Sequence, residues 1–326
     1  MSIRRLLPGL LLGFVVFLAV ALIGDLRQVG QEVRAFNWRM FPLAMALTLF
    51  NYALRGLKFH YYLRQVGAND GRWLSLVETS YRPIPLCESL RLFVAGFPLA
   101  MTPGKVGEVL KAVWIEQKTG IPTARGVAVV VAERISDGLA VLLLSTLGVV
   151  AYPQYWPGFA FVLAALLGVI VVSQIRPLAH ALLDVWARLP LVGRFGGTLR
   201  QFYEGSFALF RPSATLIGVG LGMVSWLGEG VGFYAILLGL GVPPGWQIFS
   251  IAVFILAFST VVGAASALPG GLGAAKASIG GMLVLLGGLT SGTAAAATLL
   301  IRFATLWFGV ALGLAAWARS ADLFKQ

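Results

Sequence analysis

The chain has 326 residues, of which 58% are hydrophobic and 12% charged, where an ordinary soluble domain carries about 25% charged residues. That balance excludes a water-soluble globular fold. The formal net charge of +12 would suggest nucleic acid for a soluble protein, but here it points to basic cytoplasmic loops meeting anionic lipid headgroups, with no nucleic-acid partner.

Residues 6–24 form the first uncharged run, after Arg4 and Arg5. The run is long for a signal-peptide core and no small-x-small cleavage site follows, so it reads as a retained membrane helix. A short polar segment, 25–39, follows. The next span covers about 40–60 and ends in Arg55, Lys58 and Arg64, which are expected to snorkel to the interface. An apolar segment at 84–119 is interrupted at Pro103-Gly104, and a span at 124–150 comes after it. The uncharged, aromatic turn AYPQYWPG leads to a span at 157–175. Residues 176–212 form the one sizeable polar connection, with Arg176, Arg188, Arg194, Arg200 and Arg211 against Asp184 and Glu204. In it Phe195, Leu199, Phe202, Ser206 and Phe210 recur every three or four residues, the pattern of an amphipathic helix on a membrane surface. A span at 213–239, a second interrupted segment at 246–289 and a last span at 292–318 complete the chain.

Cys87 is the only cysteine, so no intrachain disulfide forms. His60 and His180 have no metal-ligand spacing, and neither metal nor cofactor is expected. Basic residues at the N-terminus, at 55–91, at 176–212 and at the C-terminus are expected to place those regions, and so both termini, on the cytoplasmic side of the inner membrane. The fold class is therefore all-α and polytopic, with about six full spans and two re-entrant or broken hairpins. Four regions follow: 1–39; 40–152, a first repeat broken at 103–107; 153–212, a connecting span and linker; and 213–326, a second repeat broken at 269–273.

The two breaks, PGKVGEVLK and PGGLGAAK, use nearly the same device. Each is flanked by a preceding and a following span, and the charge argument runs the two halves in opposite directions, as in an inverted-topology repeat. A broken helix leaves backbone N–H and C=O groups unpartnered. In hydrocarbon each such group costs several kcal/mol, so the break must be buried in protein or line a wet cavity. The restarting helix then aims N–H groups at that cavity, which favours an anion. Pro103, Gly104 and Gly107, with Pro269, Gly270, Gly271 and Gly273, are the expected break residues.

Ionisable residues at membrane depth are costly and usually functional. The candidates are Lys105, Glu108 and Lys111 beside the first break, Glu133, Arg134 and Asp137 on the next span, and Glu229, Lys276 and Arg302 in the second half. Arg134 has a plainer reading, neutralised by Glu133 and Asp137 on its own helix, and Lys105 and Lys111 have one as ordinary interface residues. Lys276 and Arg302 each stand alone in long uncharged stretches, so their partner is Glu229, Glu108 or a ligand such as phosphate. Trp226 and Trp307 read as packing or lipid-facing residues.

LFVAGFPLAMTPGKVGEVLKAVWI, VAERISDGLAVLLL, ALPGGLG and LLIRFATLWFGVALGL together resemble the lysylphosphatidylglycerol synthase transmembrane-region family, over about residues 40–318. The motif Pro103-Gly104-x-x-Gly107-Glu108, combined with Glu133-Arg134 and Asp137, carries most of that likeness. Lys276 departs from it, because the family often has Glu there, and the reversed charge favours a more anionic ligand. No synthase portion accompanies the segment, so aminoacyl transfer is not expected. The resemblance implies a lipid flippase or transporter for an anionic, phosphate-bearing headgroup, with membrane lipids as partners. The alternatives are a membrane-embedded enzyme or accessory subunit of lipid, glycolipid or hopanoid biosynthesis, and a carrier of small anionic solutes. A homo-oligomer or a lipid-synthase partner stays open.

Overall fold

A computed structural model describes residues 26–67, 82–102, 107–149, 156–187, 196–266 and 274–320. The expected first span, 6–24, lies outside the described residues. So do Pro103, Gly104, Lys105, Pro269, Gly270, Gly271 and Gly273. Every regular element among the described residues is helical, and the protein is an all-α, polytopic membrane protein.

The chain order begins with α1 (Leu26–Ala35), in the segment expected to be merely polar, and α2 (Met40–Gly67). Then come α3 (Leu86–Ala95), a 3-10 turn (Phe97–Met101), α4 (Leu110–Thr119), α5 (Thr123–Val149) and α6 (Trp156–Gln174). The linker forms α7 (Arg176–Ala187) and α8 (Gly196–Leu209), followed by α9 (Pro212–Gly239) and α10 (Trp246–Ala265). The chain closes with α11 (Ala274–Leu285), α12 (Ser291–Arg302), a π-helical turn (Phe303–Trp307) and α13 (Phe308–Ala318).

Among the described residues, five helices have the length and apolar composition to cross a membrane: α2, α6, α9, α10 and the continuous run Ser291–Ala318. The interrupted segments differ in build. α3 and α4 have 10 residues each, about 15 Å apiece and half of a ~30 Å hydrocarbon core. In the second segment α10 has 20 residues, whereas α11 has 12. One arm of that segment is therefore long enough to span by itself.

Small residues set the helix packing. Gly222 of α9 approaches Ala140 of α5 so closely that a Cβ built on it would stand 2.8 Å from the alanine methyl. Such contacts bring backbones together where lipid supplies no hydrophobic drive. Asn51 Nδ2 donates to the Ser225 carbonyl at 3.0 Å and ties α2 to α9. Thr290 caps α12 by accepting from the Thr293 N–H at 3.2 Å, and Thr293 Oγ1 donates to Glu32 at 2.8 Å, which docks α1. α6 is apolar all round, and Phe159 is its one buried residue.

Two large apolar cores form among the described residues, beside two small clusters. One joins α9, α10, α11 and α12 through residues such as Phe233, Phe254, Ile279 and Ala297. The other joins α2, α3, α4, α5 and α8 through Phe59, Leu92, Trp114, Val129 and Leu209. The second core corrects the expectation for the linker. Ser206 and Leu209 of α8 and the following Phe210 are buried, and Gly205 packs on Ala128 and Arg125 of α5. The periodic face of α8 is turned toward protein.

At Gly313 of α13 a Cβ would stand 2.3 Å from Pro98 Cδ and 2.9 Å from the Val94 carbonyl. A proline ring and a backbone oxygen cannot swing aside, so Gly313→Ala is an overpacking change. It is expected to cost about 1–3 kcal/mol of stability, read as a lower unfolding midpoint in detergent.

Candidate functional site

Between the two cores lies a cavity of about 460 Å³. Its lining brings together six of the sequence-derived candidates from separate parts of the chain: Glu108, Lys111, Arg134, Asp137, Glu229 and Arg302. Glu133 sits behind this wall, fully buried, and Lys276 lies on α11 with its side chain outside the described residues.

α5 organises the charges. Glu133 Oε2 accepts from Lys111 Nζ at 3.2 Å, in a pair that is 3% and 0% exposed. Arg134 Nη2 stands 2.8 Å from Glu108 Oε2. Asp137 takes Arg55 Nη2 at 3.2 Å on one oxygen and Lys58 Nζ on the other, and Lys58 also donates to Ser136 Oγ at 3.2 Å. Each member of the α5 triad therefore pairs with a residue outside α5. This corrects the plainer reading of Arg134 as neutralised within its own helix. It also corrects the interface reading of Lys111, which is buried with its ammonium 5.6 Å from the Phe59 ring and 5.8 Å from the Phe93 ring.

Arg55 and Lys58 were expected to snorkel at a helix end, but α2 continues to Gly67. Lys58 is 0% exposed. The sequence held a signal for this: FHYYL, directly after Lys58, extends the apolar stretch by more than a turn. Trp226, expected to serve packing or lipid, lines the cavity with the Arg55 guanidinium 5.4 Å from its ring. Ser259 and Thr260 of α10 also reach the wall, and no charge pattern marked them.

Residues 103–106 of the first break lie outside the described residues, and Thr102 braces the backbone where it resumes. Gly107 N–H donates to Thr102 Oγ1 at 2.8 Å, and Thr102 Oγ1 donates to the Leu99 carbonyl at 2.7 Å. Glu108, only 3% exposed, occupies the restart itself. An acid there supplies the negative charge that a helix N-terminus favours. The Glu108 carboxylate is itself paired with Arg134.

Arg302 differs from the other cations. Its Nε and Nη2 are buried with no hydrogen-bond partner among the described residues, and the acid that acts on it electrostatically is Glu229. Trp226 Nε1 is likewise a buried donor without a partner. The π-helical turn begins at the next residue, Phe303. Tyr52 Oη donates to the Thr305 carbonyl at 2.6 Å, satisfying a backbone group within the wider turn. Such turns recur at functional sites because they re-aim the side chains beside them. The cavity thus offers unused donors at the Arg302 side and engaged ion pairs at the α5 side. No group of three or more His, Cys, Asp and Glu with metal-ligand placement occurs among the described residues.

The family description "Lysylphosphatidylglycerol synthase TM region" matches residues 9–313. The chain belongs to this family. A relative described as a UPF0104 membrane protein, from Methanothermobacter thermautotrophicus, is 24% identical over 310 residues, covering 88% of this chain and 85% of its own. No solved structure matches the chain. The family segment contains every charged group of the cavity, from Arg55 to Arg302. Membership in this lysylphosphatidylglycerol synthase transmembrane-region family agrees with the resemblance drawn from the Pro103–Glu108 and Glu133–Asp137 motifs.

Because Lys111 and Glu133 are buried as a pair, removing one charge strands the other. Lys111→Met and Glu133→Gln are each expected to cost about 3–5 kcal/mol, and the double variant markedly less than their sum. A double-mutant cycle of unfolding midpoints in detergent measures this, and independent, additive losses would refute the pairing.

Proposed function

We propose that this protein moves a phosphate-bearing, anionic lipid headgroup across the cytoplasmic membrane by alternating access. The observation that carries the reading is the Arg302 guanidinium, whose Nε and Nη2 stand buried and unpartnered in a cavity at membrane depth. A buried charged donor without an acceptor is expensive, and a phosphate oxygen is the acceptor that suits a guanidinium fork. Trp226 Nε1 adds a second free donor on the same wall.

The rest of the cavity supports a lipid over a small soluble anion. Beside the charges, its wall is built from Val141, Val162, Leu166, Leu256, Val261 and Val310. Val162 and Leu166 belong to α6, whose outer surface exposes Phe161, Val169 and Val171 as a lipid-facing helix does. A polar pocket walled by a loosely packed apolar helix suits a molecule with a charged head and hydrocarbon tails.

Alternating access is supported by the matched lengths of the halves. α2 and α9 have 28 residues each, α5 has 27 and Ser291–Ala318 has 28. Each pair flanks an interrupted segment, which is the arrangement of an inverted repeat that rocks around a central site. In this reading Arg302 holds phosphate. Arg134, Lys111 and Arg55 are already paired with Glu108, Glu133 and Asp137, so they shape the cavity and leave the phosphate to Arg302. Both termini face the cytoplasm, as the basic loops require. The substrate is handled without covalent chemistry.

Reconstitution into proteoliposomes with a fluorescent phosphatidylglycerol tests this. Wild-type protein is expected to move the lipid between leaflets. Arg302→Ala should slow that at least about tenfold, since a buried charge-assisted contact is worth ~1.5–3 kcal/mol. Arg200→Ala, on the exposed Arg200–Asp184 pair of the linker, should leave the rate unchanged. Equal rates for wild type and Arg302→Ala would refute the site. Conversion of the lipid to a new product would favour an enzyme, and uptake of soluble phosphate without lipid movement would favour a solute carrier.

A further inference from the structure

The reading above leaves one buried acid without a role. Glu229 of α9 is 7% exposed and lines the cavity. It makes no hydrogen bond or ion pair with another described residue. The other cavity acids are engaged, Glu108 by Arg134 and Asp137 by Arg55 and Lys58. Lone burial of a carboxylate is costly, so either a charged neighbour balances it or a proton does.

The groups that face Glu229 are few. α2 contributes Tyr52 and Arg55, α5 contributes Asp137, and α12 contributes Arg302. α10 brings Ser259 and Thr260 to the same cavity and carries no ionisable residue. The ionisable residues of α8 lie beyond the Pro212 end of α9, roughly 25 Å along the axis from Glu229 at 1.5 Å per residue. α1 meets the opposite end, where Phe36 packs on Gly239, about 15 Å from Glu229 by the same measure. The charge balance of Glu229 is therefore set by Arg55 and Arg302 against Asp137. Arg55 is already committed to Asp137 by an ion pair, which leaves Arg302 as the cation free to compensate it.

We infer that Glu229 is a proton-binding site coupled to ligand binding, taking up a proton from water when an anionic headgroup engages Arg302. The inference rests on the anion reading given above. A phosphate arriving at Arg302 consumes one of the two cations that balance Glu229 and places a second negative charge beside it. In a cavity of low effective dielectric that repulsion is strong, and protonating the carboxylate to the neutral acid removes it. One negative charge enters with the headgroup and one positive charge enters with the proton. The loaded cavity then carries the same net charge as the empty one, so the rocking step moves no additional charge. Linkage makes the effect reciprocal: if the anion promotes protonation, protonation tightens the anion by the same factor.

Calorimetric titration of the purified full-length protein in detergent, with short-chain dihexanoyl phosphatidylglycerol as the probe, tests the coupling. A phosphodiester keeps one charge across the working range, so any pH dependence belongs to the protein. Binding to wild type should tighten by about tenfold between about pH 8 and pH 5.5. Repeating the titration in buffers of different ionisation enthalpy should show uptake of up to about one proton per lipid. Glu229→Gln, isosteric and permanently neutral, should bind as tightly as acidified wild type at every pH and take up no proton. Binding to wild type with neither slope nor proton uptake would overturn the coupling and leave the anion site standing. A slope that survives Glu229→Gln would overturn it as well. Absence of binding at any pH would overturn the anion reading and the coupling together.

Discussion

The arrangement depends on a single requirement: charges buried at membrane depth must find opposite charges. α5 carries Glu133, Arg134 and Asp137 within little more than one turn, and each reaches a different part of the chain. Glu133 holds Lys111 of α4, Arg134 holds Glu108 at the restart before α4, and Asp137 holds Arg55 and Lys58 of α2. Association of helices in lipid gains little from the hydrophobic effect, since the tails are as apolar as leucine. Ion pairs in a low-dielectric setting therefore fix register and rotation more firmly than packing alone. Their main contribution is specificity, because desolvation offsets much of their attraction.

Placement of the cavity follows from that requirement. With α4 and α2 tied to one end of the α5 charge cluster, the free space falls between α5, α9, α10 and the π-helical turn after Arg302. Small residues let α9 approach α2 and α5 closely, as at Gly222 and Ala140, which brings Trp226 and Glu229 into the wall. The wider turn at Phe303–Trp307 is braced by Tyr52 of α2 through the Thr305 carbonyl. A mostly paired ionic scaffold thus surrounds two charged residues of the cavity wall that have no ion pair among the described residues, Arg302 and Glu229, and functional chemistry is most economically assigned to those.

Much of the fold was legible in composition and run length. The spans at 157–175, 213–239 and 292–318 correspond within about two residues to α6, α9 and the run Ser291–Ala318, because apolar length is set directly by bilayer thickness, and the segment 124–150 forms the single helix α5. The charged candidates were legible for the same reason: an isolated ionisable residue in an apolar run is conspicuous. The burial of Arg55 and Lys58 is not legible in the sequence, because charges near one end of an apolar stretch look like interfacial anchors, and only the continuation of α2 to Gly67 buries them. The α8 face was misread because a sequence period of three or four shows that a face is apolar without showing whether lipid or protein covers it. Trp226, Ser259 and Thr260 were not selected, since uncharged side chains carry no cost signal.

By itself the sequence determined the class of solvent, the helical lengths, the interruption near Gly107 and the roster of ionisable groups at membrane depth. Those are properties of a segment and its transfer from water, and they need no partner. Pairing was decided by the tertiary structure alone. Arg134 binds Glu108 and leaves its own helix neighbours to Lys111, Arg55 and Lys58, whereas Arg302 keeps donors free beside an unpaired Glu229. Coulomb energy depends on distances between residues far apart in the chain, and helix packing sets those distances.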